Sequence, residues 1–132
     1  MIFVDTSFWA ALRNPRDDLR RQALALWGKH ADRPLLTTNH VVGETWTLLR
    51  RRADHRRAAQ FLDSLEASPR IEVRHVAAGL EVEALGWLRR HDEREYSFVD
   101  ATSFAFMRTH GITEALAFDG DFAAAGFVEL RP

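Results

Sequence analysis

The sequence predicts an α/β fold with a mostly parallel central sheet of about four to five strands, covered by helices on both faces. Three observations predict it. Short apolar runs alternate along the chain with longer segments of helical period. The first run, Met1 to Val4, stops at Asp5, Thr6 and Ser7, and an apolar pattern of helical spacing restarts at Phe8 and Trp9. A later run, Ala115 to Phe118, likewise ends in a carboxylate, Asp119. In open α/β sheets, sites form beyond the carboxyl ends of the strands, which is where Asp5 and Asp119 would stand.

A length of 132 residues suits one domain, 1–132, able to bury a core without staples. There is no cysteine, so disulfide frameworks and thiolate chemistry are excluded. No basic region precedes an apolar stretch at the N-terminus, and no apolar run is long enough to cross a bilayer. A cytoplasmic protein with no membrane partner is expected. Charge is uneven: 11 Lys and Arg against 6 Asp and Glu up to Arg57, then 7 against 13. The basic half is suited to a polyanion, although solvated helix faces explain an Arg cluster equally well.

Taken in order, residues 2–4 form the first strand, and a short helix runs from Ser7 to about Arg13, broken by Asn14 and Pro15. Asp17 or Asp18 caps a second helix reaching about His30, with Leu19, Ala23, Leu26 and Trp27 on one face. Leu35 to Thr37 is a strand. Asn39 caps the next helix, which runs to Arg52, and Asp54 caps another carrying Ala58, Phe61, Leu62 and Leu65. Residues 71–76 alternate as a strand does. Ala78 to about His91 reads as a helix with Leu80, Ala84, Leu85 and Leu88 inside. Ser97 caps a helix to about His110, and Gly111 closes it. Residues 115–118 form a strand, one helical turn follows, and 127–130 form the last strand.

Two acids fall where helices should be apolar. Val41, Glu44 and Leu48 share a face, as do Asp100, Phe104 and Met107, because spacings of three and four stack. A carboxylate facing a sheet requires a cation, a set of donors or a raised pKa. Asp5 and Asp119 each read equally as a helix cap. Should Asp5, Glu44, Asp100 and Asp119 converge, their mutual repulsion calls for a hard divalent ion, Mg²⁺ or Mn²⁺. His40 and Glu44, one turn apart, are a weaker candidate pair for a transition metal.

These residues together resemble a PIN-domain ribonuclease, and within that family a VapC-type toxin. The anchors are Phe3-Val4-Asp5-Thr6-Ser7, Glu44-Thr45 followed by Leu48-Leu49, Ser97-Phe98-Val99-Asp100-Ala101, and Phe118-Asp119 with Phe122 and Gly126-Phe127. The resemblance implies a three-layer α/β/α domain whose catalytic acids are Asp5, Glu44, Asp100 and Asp119. Asp5 and Asp100 would be the principal ligands of one or two ions, with Glu44, Asp119 and Asp121 as additional candidates. Thr6, Ser7 and Ser103 would support the site. It further implies RNA hydrolysis leaving a 5′-phosphate and a 3′-hydroxyl, a homodimer, and a separately encoded VapB-type antitoxin. Two departures stand out. Ala117 occupies a position often held by Thr or Ser, and Asp121 stands where relatives differ; it reads best as the cap of the last helical turn. Arg50 to Arg52 are expected to hold the RNA backbone, on charge alone.

Two other classes fit an acidic strand-end site. A phosphotransfer or receiver-like domain also binds Mg²⁺ there, but it wants an acid two residues after the first, where Ser7 stands, and a late Lys, whereas the only Lys is Lys29. A non-catalytic binding module would use the acids as caps and in salt bridges.

Overall fold

The computed structural model describes every residue from Met1 to Pro132. Five strands, β1 (Ile2–Val4), β2 (Leu35–Thr38), β3 (Ile71–Arg74), β4 (Glu114–Leu116) and β5 (Val128–Glu129), form one sheet in the order β3-β2-β1-β4-β5. Every pairing is parallel, with Phe3 opposite Leu36 on one side and opposite Ala115 on the other. The helices are α1 (Thr6–Arg13), α2 (Arg20–Lys29), α3 (Asn39–Arg52), α4 (His55–Ala67), α5 (Ala78–Arg90), α6 (Phe98–Thr109) and α7 (Asp121–Ala124).

The strand order runs outward from β1 to β3, then jumps back across β1 to β4 and β5. With right-handed crossovers, this reversal puts the helices of the two halves on opposite faces. It also opens a crevice between the carboxyl ends of β1 and β4, where consecutive chains diverge. The core shows both faces. Phe3 packs against Phe106 and Phe122 on the α6–α7 side, while Trp9 of α1 meets Trp27 of α2 and Phe61 of α4.

Several expected boundaries shift, each for a local reason. Thr38, not Asn39, caps α3: its hydroxyl accepts from the Val41 amide, while Asn39 Oδ1 accepts from the Val76 amide at 2.9 Å. Neither Asp17 nor Asp18 caps α2, which begins at Arg20 without a side-chain cap; Asp17 instead takes the Leu19 amide in the turn before it. Leu85 is 46% exposed, because Ala84 and Trp87 set the buried face of α5 against α6. Trp87 lies edge-on to Tyr96 and Phe104 there. The strands also end early: β4 stops at Leu116, so Asp119 follows a short loop rather than the strand itself.

Ser97 caps α6 in a reciprocal box: its hydroxyl accepts from the Asp100 amide at 2.9 Å, and its own amide donates to the Asp100 carboxylate at 3.0 Å. At the other end Gly111, with φ of 65°, lets the Ile112 amide reach the Met107 carbonyl. Ser97→Ala is expected to cost about 1 kcal/mol of stability, read as a lowered urea midpoint; an unchanged midpoint would contradict the cap.

Candidate active site

Asp5 leaves β1 with its amide bonded to the Leu116 carbonyl, so the ladder itself fixes its backbone. The Ser7 amide and hydroxyl both donate to Asp5 Oδ2, at 3.2 and 2.8 Å. That makes Asp5 the cap of α1, as the alternative reading of the sequence had it, but only one oxygen is used. Its Oδ1 is buried and has no hydrogen-bond partner. Ser7 Oγ also accepts from the Phe118 amide at 3.0 Å, pinning the loop after β4 to the start of α1.

Asp100 arrives on the first turn of α6 with one oxygen held by the Ser97 amide. Asp119 follows β4, and its Oδ1 accepts from the Asp121 amide at 3.2 Å. Asp5, Asp100 and Asp119 each present a carboxylate oxygen within 4.8 Å of the others. Asp5 and Asp100 are buried and Asp119 opens to solvent. Burial and the neighbouring charges of Asp119 and Asp100 push the Asp5 carboxyl up to about 8. Burial raises Asp100 to about 6, with Asp119 and Asp121 adding to it. Asp119 is raised as well, chiefly by desolvation.

The donor chemistry fits a hard divalent ion. The cluster is all carboxylate oxygen, one buried oxygen has no protein partner, and the three acids repel one another in the absence of a cation. No histidine or sulfur joins it.

The remaining expected site residues divide. Glu44 is half-buried, forms no ion pair, and lines the same cleft of about 470 Å³ as Asp5 and Asp119, though it stands outside the three-acid group. Thr6 lines the cleft with a buried, unpartnered hydroxyl. The Ser7 hydroxyl is spent on Asp5 and Phe118. Ser103 is a correction: its hydroxyl donates to the Val99 carbonyl within its own helix, at 2.8 Å. Asp121 is another. Its carboxylate neither caps α7 nor joins the cluster; Arg94 Nε donates to it at 2.7 Å. His40 is drawn away from Glu44, with Nε2 3.3 Å from Glu81 and its ring edge-on to Phe98.

Sequence reasoning missed Arg94. It leaves the α5–α6 connector to bond both the Asp121 carboxylate and the Asp119 carbonyl, bracing the loop that carries Asp119. Its setting, Glu93-Arg94-Glu95, looks like any solvated connector. The α3 side of the cleft was partly legible: the sequence puts Glu44 and Leu48 on one face, and Arg52, four residues further on, lines the cleft with them.

Residues 2–128 match the PIN domain family. The curated relatives include the 23S rRNA-specific endonuclease VapC20 of two Mycobacterium tuberculosis strains. Each is 60% identical over 134 residues, spanning 100% of this chain and 99% of the relative. The crystal structure of Mycobacterium tuberculosis VapC20, described as a sarcin-ricin loop cleaving toxin, superposes with a TM-score of 0.94 at 57% identity over the whole of both chains. FitAcB from Neisseria gonorrhoeae shares the fold alone, with a TM-score of 0.65 at 18% identity over 98% of this chain and 96% of that one. The chain belongs to the PIN-domain family, and within it to the VapC-type ribonuclease toxins. The phosphotransfer and binding-module readings give way to this membership.

Proposed function

We propose that this protein hydrolyses an RNA phosphodiester with Mg²⁺ or Mn²⁺ held by Asp5, Asp100 and Asp119, and that its target is the sarcin–ricin loop of 23S rRNA. The observation that carries the catalytic reading is the meeting of Asp5, Asp100 and Asp119 with a carboxylate oxygen of each within 4.8 Å of the others, beside which Asp5 keeps a buried oxygen with no protein partner. The target is inferred from the 23S rRNA-specific, sarcin-ricin loop cleaving activity of VapC20, similar to this chain over its whole length.

When bound, one or two ions lower the pKa of water and neutralise charge on the phosphate. The chain's own residues do the rest. Ser7 and Ser97 hold one oxygen each of Asp5 and Asp100, which fixes both carboxylates and leaves the second oxygen of each without a serine donor. Glu44, facing the cleft, accepts a proton from the attacking water. With water rather than the 2′-hydroxyl as nucleophile, a P–O bond to the water forms, the P–O3′ bond breaks and the departing oxygen takes a proton from solvent, leaving a 5′-phosphate and a 3′-hydroxyl.

The partner is a separately encoded VapB-type antitoxin whose C-terminal segment enters this cleft, and the working form is a cytoplasmic homodimer. No helix is long and apolar enough to cross a membrane. Val82 and Leu85, 70% and 46% exposed on α5, give an apolar surface suited to a second copy; light scattering at working concentration reads the mass.

The deciding experiment is incubation of purified protein with ribosomes and with total RNA, with Mg²⁺, Mn²⁺ or chelator, followed by end-mapping. A single metal-dependent cut in the sarcin–ricin loop is expected. Discrete cuts elsewhere would replace the target and keep the chemistry; no metal-dependent cut would overturn both.

Arg52 is the one member of the Arg50–Arg52 run that lines the cleft. Arg52→Ala is expected to weaken RNA binding and reduce the salt slope by about 1, one phosphate contact's share. Arg51→Ala serves as the matched control. An unchanged slope in the Arg52 variant would remove this contact.

A further inference from the structure

We propose that the half of the cleft beyond the carboxylates is a nucleoside subsite, in which one unstacked base of the RNA lies against Leu48, Leu19 and Ala10. The inference rests on the reading of this cleft as the RNA-cleaving site and adds the class of group its far half receives.

The cleft has two walls. One is α3, which contributes Glu44, Leu48 and Arg52; the other is α1, with Thr6, Ser7 and Ala10, continued by Asp17 and Leu19 of the loop after it. Both helices start at the carboxyl edge of the sheet and pack side by side. Their far ends therefore meet as well, and Asn14, Pro15 and Arg16 share a second hollow with Ala53, Asp54 and Arg57. From Glu44 to Arg52 the α3 wall runs about 12 Å at roughly 1.5 Å per residue. Along that length it changes from anionic to apolar to cationic.

An ion and one phosphate account for the acidic end. Nothing in their chemistry calls for the apolar middle, where Ala10 is buried and Leu48 and Leu19 are half-exposed into the cleft. A nucleotide does. It has an anionic group for the carboxylate-held ion, an apolar ring face for the leucines, and a following phosphate for Arg52. Loop and single-stranded RNA offer such splayed bases, and proteins that read RNA sequence seize them. The far wall is also set before RNA arrives: the Asp17 carboxylate takes the Leu19 amide at 2.9 Å, and Arg20 bonds the Leu12 carbonyl.

The test uses an oligoribonucleotide hairpin spanning the mapped cut, with each nucleotide flanking the scissile bond made abasic in turn. Wild type, Leu48→Ala and Leu19→Ala are compared by kcat and KM in Mn²⁺. In wild type, one abasic position is expected to raise KM about tenfold, the scale of a lost base contact. In Leu48→Ala the intact RNA should show a comparable KM rise, and the abasic penalty at that position should shrink below about threefold, with kcat little changed. Leu19→Ala should behave alike and covers the case of a misfolded Leu48 variant, checked by melting. Unchanged KM in both leucine variants, or an undiminished abasic penalty, would overturn the subsite and leave the nuclease standing. Failure of wild type to cut any RNA in Mn²⁺, ribosomal or hairpin, would overturn the nuclease reading, and the subsite with it.

Discussion

Asp5→Asn is expected to reduce RNA cleavage by well over about 100-fold while making the metal-free protein more stable at pH 8. Losing only the hydrogen-bond partner of a metal-holding residue costs about 10- to 100-fold, so removing the most buried carboxylate of the cluster should cost more. The stability gain has a separate origin. Asp5 is 2% exposed, its Oδ1 has no partner, and its carboxyl sits at about 8. An amide of the same shape keeps the acceptor for Ser7 without a charge to desolvate. Single-turnover cleavage and melting of the chelated protein read the two effects. A variant that is inactive and also less stable at pH 8 would mean that Asp5 is chiefly structural.

The second large effect is the coupling of stability, pH and divalent ion. The folded-state values of Asp5 and Asp100 lie above their ordinary value of 3.8, at about 8 and about 6. Below about pH 4 both states hold these protons and the full stability is present. As pH rises, the unfolded chain releases them first, so folding is penalised increasingly until the folded groups also ionise. The chelated protein should therefore lose stability between about pH 4 and pH 8, on the order of a few kcal/mol in total. Mn²⁺ competes with those protons, so its stabilisation should be small at pH 5 and largest near pH 8. Melting scans across this range with and without ion check the sign. A chelated protein that gains stability over the interval would show that burial and the neighbouring charges do not hold these carboxyls above their ordinary value.

Much of this site was legible because its physics is local. Asp5 and Asp119 each terminate an apolar run, and Asp100 interrupts an apolar helical face beside a good cap. Convergence itself stayed conditional in the sequence; the reversal in strand order that brings the ends of β1 and β4 together is seen only in the fold. What stayed hidden depends on partners distant in sequence. Nothing near Asp121 announces Arg94, 27 residues away. Thr38 and Asn39 are both good caps, and only the position of the Val76 amide decides between them. Strand ends were overdrawn because burial continues past pairing: Ala117 is fully buried but lies outside the β4 ladder. Leu85 was misassigned for the opposite reason, since a leucine adjoining the buried stripe counts as core by hydropathy and not by geometry.

The jump from β3 back across β1 to β4 also bears on when the protein can act. Helices α1 to α5 and strands β1 to β3 can form through connections between neighbours in the chain. The β1–β4 pairing spans more than a hundred residues and closes the longest loop in the fold. Such contacts form late and slowly, because the closure entropy is met before the contacts reward it. Asp119 reaches Asp5 only through that pairing. A chain with most of its helices in place is therefore still without its three-carboxylate cluster. The acidic cluster and the cleft it lines are therefore expected to be completed together, as one of the last events of folding, when Asp119 and Phe118 come up beside Asp5.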